Sequence, residues 1–146
     1  MSNSLSYRSR PIIVCASGYF SAIHRGHIEY LEKSKALGDF LVVIVNNDDQ
    51  TRLKHGEVFK TIDDRLEVVR ALRCVDLAVV STDMDRSVCK TLEILRPHIF
   101  TNGGDQANEN IPEKEVCEKY GIKMVDGLGY KIQSSRWILT NYRSTK

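Results

Sequence analysis

A chain of 146 residues, 42% hydrophobic and 27% charged, is long enough for one domain that buries about two-thirds of its unfolded surface. A formal net charge of +2, with lysine and arginine scattered among acids, gives no basic stripe for nucleic acid. The longest apolar run, Phe40–Val45, is far too short to span a bilayer, so neither a nucleic acid nor a membrane is expected as a partner.

The polar, serine-rich stretch Met1–Arg10 reads as a frayed tail rather than a signal peptide. Residues 11–146 read as a single domain, with no linker or repeat inside it. Pro11–Ala16 is apolar and rich in β-branched residues, as a strand covered on both faces should be. Helical spacing follows through Ile28, Leu31, Ser34 and Leu37, with Gly38 as the stop. Phe40–Val45 is a second apolar strand, and Asn46-Asn47-Asp48-Asp49 after it reads as a turn. A loop carrying Lys54 and His55 leads to Thr61, the expected cap of a helix with Ile62, Leu66, Val69 and Leu72 inward. Leu77–Val80 is a third strand, and a helix is expected from about Asp85 to Leu95, ended by Pro97. His98–Thr101 is a fourth strand, Pro112 opens a helix through Tyr120, Lys123–Val125 is a fifth strand, and a last helix runs from Ser134 to about Tyr142.

Strand–helix alternation predicts a Rossmann-like three-layer α/β/α sandwich with a mainly parallel sheet of about five strands. In such sheets ligands bind beyond the carboxyl ends of the strands. The residues with chemical potential lie there: Gly18–His27 after the first strand, Asn46–Lys54 after the second, and Asn102–Asp105 after the fourth.

His24-Arg25-Gly26-His27 is the most specific segment. Histidines three apart share a helix face, Gly26 lets a ligand approach the backbone, and a helix N-terminus favours anions. The four cysteines, Cys15, Cys74, Cys89 and Cys117, lack C-x-x-C spacing and read as small core residues in a reducing compartment. Gly127-Leu128-Gly129 lacks the third glycine of a dinucleotide fingerprint, and no P-loop string occurs. His98 reads as structural, His55 as solvated, and Asp76 as fixing the start of the third strand or a dimer contact.

Gly18-Tyr19-Phe20-Ser21-Ala22-Ile23-His24-Arg25-Gly26-His27 resembles the G-x-F-D-x-x-H-x-G-H signature of the cytidylyltransferase-like nucleotidyltransferases, the HxGH superfamily. The resemblance continues through Asp48, Lys54, Arg65, Leu72-Arg73-Cys74-Val75-Asp76, Gly103-Gly104-Asp105 and Ile132-Gln133-Ser134-Ser135. It is nearest the small stand-alone members, similar to glycerol-3-phosphate cytidylyltransferase and to the heptose-phosphate adenylyltransferase domain. Two positions depart: Ser21 stands where the pattern has Asp, and Leu128 where the glycerol-phosphate enzymes have an arginine. That second departure favours ATP over CTP.

The resemblance implies transfer of a nucleotidyl group from ATP or CTP, with Mg2+ held mainly by the phosphates, to the phosphate of a small metabolite such as a sugar phosphate or glycerol phosphate. It makes His24, His27 and Lys54 catalytic. Gly18, Tyr19, Phe20, Gly26, Gly103, Gly104, Asp105, Ser134 and Ser135 bind nucleotide, and Asp48, Arg65 and Arg136 bind the acceptor or a phosphate. A cytoplasmic homodimer is expected. The alternatives are a coenzyme adenylyltransferase of the flavin mononucleotide type and a catalytically silent nucleotide-binding regulatory subunit.

Overall fold

The computed structural model describes residues 10–103 and 111–128. Gly104, Asp105, Ser134, Ser135, Arg136, the expected last helix and most of the expected tail lie outside the described residues. In chain order the elements are β1 (Ile13–Gly18), α1 (Arg25–Lys35), β2 (Phe40–Val45), α2 (Asp48–His55), α3 (Ile62–Arg70), β3 (Leu77–Val80), α4 (Cys89–Leu95), β4 (Ile99–Gly103), α5 (Glu113–Tyr120) and β5 (Lys123–Leu128).

The strands form one sheet in the order β3-β2-β1-β4-β5, and every pairing is parallel. Alternate residues of the apolar strands enter two separate cores. Val14, Ala16, Leu41, Val43 and Val45 pack with Leu31 of α1 and with Leu66 and Val69 of α3. Cys15, Ile44 and Phe100 pack with Leu92 of α4 and Cys117 of α5. Helices therefore cover both faces, which is why the strands read as continuous apolar runs. The chain leaves β1 towards β2 and returns on the other side as β4, so the switch point lies at the carboxyl ends of β1 and β4. Tyr30 braces it: its hydroxyl donates to Thr101 O at 2.8 Å and accepts from Ser17 N at 3.3 Å.

Several boundaries differ from expectation, each for a local reason. Residues 48–55 form α2 rather than a turn and loop. Asn47 Oδ1 accepts from Gln50 N at 2.8 Å, Gln50 Oε1 accepts from Asn47 N at 3.0 Å, and Gly56 closes the helix at φ +87°, a reciprocal cap with a left-handed stop. Helix α4 begins at Cys89, not Asp85, because the Asp83 carboxylate reaches forward to cap Lys90 N and Thr91 N at 2.7 and 3.0 Å. Thr61 precedes α3 without a side-chain cap. Strand β5 runs on to Leu128 through an irregularity in its pairing with β4, where Gly127 takes φ +78° and supplies the extra residue a bulge needs.

Cys15 and Cys117 are buried, and all four cysteines are free. His98 Nδ1 accepts from Ile13 N at 2.9 Å, a structural link between β1 and β4. Asp76 accepts from Leu41 N at 2.8 Å and pairs with Lys35, fixing the entry to β2 and β3. Among the described residues no helix is long and apolar enough to cross a membrane.

Candidate active site at the sheet switch point

A cleft of about 1020 Å³ opens beyond the carboxyl ends of β1 and β4. That matches the upper end of small-molecule sites, about 300–1000 Å³, and gives room for two substrates. His24 and His27 from the start of α1, Gly18–Ser21 after β1, Lys54 and His55 from α2, and Asn102 and Gly103 of β4 all line it.

The turn after β1 is unusual. Phe20 is buried, yet it takes φ +54°, a left-handed conformation that costs a bulky residue about 1–3 kcal/mol. It folds its ring back over Gly18, where a Cβ would lie 2.9 Å from Phe20 Cε2 and Cζ. Gly18 is needed for that close approach. The Phe20 ring then backs the His27 imidazole, 5.6 Å away between centroids.

His24 is the cap of α1 rather than its first residue. Its Nδ1 accepts from Gly26 N at 3.1 Å, and His27 Nδ1 accepts from His24 N at 3.1 Å. Both δ nitrogens are therefore acceptors, which leaves each neutral ring its proton on Nε2. The two rings lie 4.1 Å apart. They present paired Nε2–H donors at a helix N-terminus whose own N–H groups at His24, Gly26 and His27 are taken up by the imidazoles and by His24 O, so an anion there meets the two rings and the positive end of the helix dipole.

Burial first, and the neighbouring His24 second, push the His27 pKa down from 6.5 to about 4. Within that window the unfolded chain takes a proton that the native chain does not. Stability from this group is complete above about 6.5, falls as pH drops towards about 4, and falls no further below. In an NMR titration one imidazole should keep the shifts of a neutral ring down to roughly pH 5. Added triphosphate should raise its midpoint, because a bound anion favours the charged form.

Lys54 sits in the last turn of α2, not in a flexible loop, with Nζ 4.5 Å from the Tyr19 ring centroid. His55 meets the same ring edge-on at 5.7 Å; it is exposed, as expected, yet lines the cleft. The Tyr19 hydroxyl is buried with no hydrogen bond of good geometry, alone in that among the described residues. Burial raises its pKa, and the nearby Arg86, first by its charge and then by its side-chain contact with the hydroxyl, opposes that rise.

Arg65, expected to hold a phosphate, does something else. Its side chain is 0% exposed. Its guanidinium donates to Lys60 O at 3.0 Å, Tyr19 O at 2.8 Å, Asn46 O at 2.7 Å and Asp48 Oδ1 at 2.8 Å. It ties together the segments leaving β1 and β2, and Asp48 is its counter-ion. In place of a phosphate, this arginine in the first turn of α3 holds a set of carbonyl oxygens plus that carboxylate. Both residues support the cleft from beneath and are absent from its lining.

The far wall, residues 85–88 with Glu113, was not anticipated. Asp85 Oδ1 accepts from Ser87 N and Oγ at 2.9 and 2.7 Å, which holds its carboxyl below the usual range. Glu113 Oε2 accepts from Val88 N at 2.8 Å, and burial raises its pKa. Both acids of the cleft are thus engaged by the protein itself, while His24, His27, Lys54, His55 and Arg86 face the space with donors. The site suits a polyanion. Among the described residues no cluster of three or more His, Cys, Asp or Glu could hold a metal ion.

Residues 15–141 match the model of the cytidylyltransferase-like family. The bifunctional protein HldE of Geobacter metallireducens is 37% identical over 122 residues, 79% of this chain and 24% of that protein, so the chain spans about a quarter of that relative. The FAD synthase of Methanothrix thermoacetophila is 43% identical over 107 residues, 73% of each chain. Among solved structures, the lipopolysaccharide core biosynthesis protein of Thermoplasma volcanium GSS1 superposes with a TM-score of 0.70 at 34% identity, covering 83% of this chain and 99% of that one. A match of this length, on a chain whose His-x-Gly-His segment stands at the mouth of the crevice, places the protein in the cytidylyltransferase-like family of nucleotidyltransferases.

Proposed function

We propose that the protein transfers an adenylyl group from magnesium-bound ATP to the phosphate of a small phosphorylated metabolite, releasing pyrophosphate. One observation carries the reading: two imidazoles lining the cleft, each with Nδ1 held by a backbone N–H at the N-terminus of α1, which leaves Nε2–H as the donor each has to offer. The acceptor phosphate is an anion near neutral pH, so its oxygen needs no strong base to attack the α-phosphorus. A phosphorus–oxygen bond forms there, the bond to the β-phosphate oxygen breaks, and its electrons leave with pyrophosphate. Catalysis is then positioning and neutralisation of charge on the phosphoryl oxygens. The histidine N–H groups bind those oxygens at the positive end of α1, and Lys54 supplies a positive charge from the last turn of α2. Magnesium, carried by the triphosphate, adds charge neutralisation when bound.

ATP is preferred over CTP on two grounds. Leu128 occupies the position where the cytidylyl pattern has an arginine. The name of the Methanothrix relative denotes a product in which AMP is joined to a phosphate monoester. The acceptor is a sugar phosphate, glycerol phosphate or flavin mononucleotide. Ser21, lining the cleft where the pattern has Asp, favours a second reading as a nucleotide-binding subunit without turnover. Pyrophosphate release decides, using ATP or CTP against glycerol 3-phosphate, a panel of sugar phosphates and flavin mononucleotide. Release with ATP and one acceptor is expected. Release with CTP alone would reassign the nucleotide, and none with any pair would leave the silent subunit.

A further inference from the structure

With Arg65 and Asp48 engaged beneath the cleft, the acceptor's phosphate needs another ligand. We propose that Arg86, together with the Tyr19 hydroxyl, is the anchor for that phosphate monoester, on the side of the crevice away from His24 and His27. The identity of the phosphate as the acceptor's rests on the transfer reading above; the anion subsite itself does not.

The first support is how the Arg86 loop is held. Gln50, 0% exposed, donates through Nε2 to Asp85 O at 2.6 Å and to Ser87 O at 2.7 Å. Asn47 Nδ2 donates to Asp83 O at 2.9 Å, and Glu113 takes Val88 N. The backbone on both sides of Arg86 is thus pinned by side chains from α2 and α5. A donor on such a loop is presented in a fixed place, as a recognition site requires.

The second support is the state of the arginine itself. Arg86 is exposed, lines the cleft and forms no ion pair among the described residues. Asp85, its sequence neighbour, is turned to Ser87 instead. The third is the orphaned Tyr19 hydroxyl beside it. One phosphate would accept two parallel N–H bonds from the guanidinium fork and one O–H from the phenol, satisfying all three donors. Placement also agrees. The Arg86 loop leads into α4 on one face of the sheet, whereas His24 and His27 open α1 on the other, so a second phosphate there can face the first across the strand ends.

The test uses full-length protein saturated with a non-hydrolysable ATP analogue, with inorganic phosphate as the probe in calorimetry. Arg86→Gln should weaken phosphate binding by about tenfold or more, the scale of a lost charge-assisted fork, while analogue affinity stays within about twofold. Arg86→Lys should recover only part, since a point charge cannot fork, and Tyr19→Phe should show a smaller loss. In turnover Arg86→Gln should raise the acceptor's KM and leave that of the triphosphate. Phosphate affinity unchanged in Arg86→Gln would overturn the proposal. So would analogue affinity falling in step, which would give Arg86 to the triphosphate. Arg86-dependent phosphate binding in a protein that turns over no acceptor would keep the subsite and discard the transfer reading.

Discussion

Replacing His27 with alanine is expected to cut nucleotidyl transfer by about a hundredfold or more, the usual cost of removing one donor aimed at developing phosphoryl charge. Structure adds a complication. His27 Nδ1 also receives the His24 N–H, so the same change removes part of the α1 cap and costs about 0.5–1 kcal/mol of stability. His27→Glu separates the two effects. A glutamate at this helical position can accept the same backbone N–H and suits the positive end of the helix, so stability should return close to wild type. Activity should not return, because a carboxylate stands where phosphate oxygens must sit. Initial rates of pyrophosphate release beside denaturant melts of the three proteins give the check. Near-normal turnover in either variant would remove the imidazole from the chemistry.

What the sequence made legible, and what it hid, divides along a physical line. The central strands β1, β2 and β4 were readable because an apolar run there must be covered on both faces, and Leu41, Val43 and Val45 against Ile44 show why no polar alternation breaks the pattern. The His-x-Gly-His segment was readable because its residues act on one another within four positions. Helix α2 was missed although its signals were present: Asn47 and Gln50 three apart, and Gly56 behind Lys54 and His55. Asn46-Asn47-Asp48-Asp49 has the composition of a turn, a local signal that competes with them. The far wall was hidden for a different reason. Gln50 contacts Asp85 and Ser87 from 35 and 37 residues away, and Glu113 reaches Val88 across 25. Such partners become visible only when parallel strands bring their exit segments side by side.

Arg65 is the sharpest case, and its replacement should give the largest loss of stability. Arg65→Met keeps the length and apolar stem of the side chain but deletes every donor. The carbonyls of Tyr19, Asn46 and Lys60 then face a thioether, and Asp48 loses its counter-ion. Removing one partner of a buried charge pair costs about 3–5 kcal/mol, against a total that for domains of this kind is about 5–15 kcal/mol. The Asp48 side chain is 26% exposed, so water can rescue it, and the penalty concentrates on the carbonyls. Asp48→Asn should therefore cost far less than Arg65→Met. Arg65→Lys should fall between them, because one ammonium cannot reach acceptors arranged around a guanidinium plane. Denaturant midpoints should rank the three in that order. Tyr19 and Asn46 directly follow β1 and β2, so a loosened Arg65 variant should also bind triphosphate weakly at temperatures where it remains folded. The opposite pattern, an unshifted midpoint with only the acceptor's KM raised, would return Arg65 to the phosphate role that an arginine in the first turn of a helix suggests.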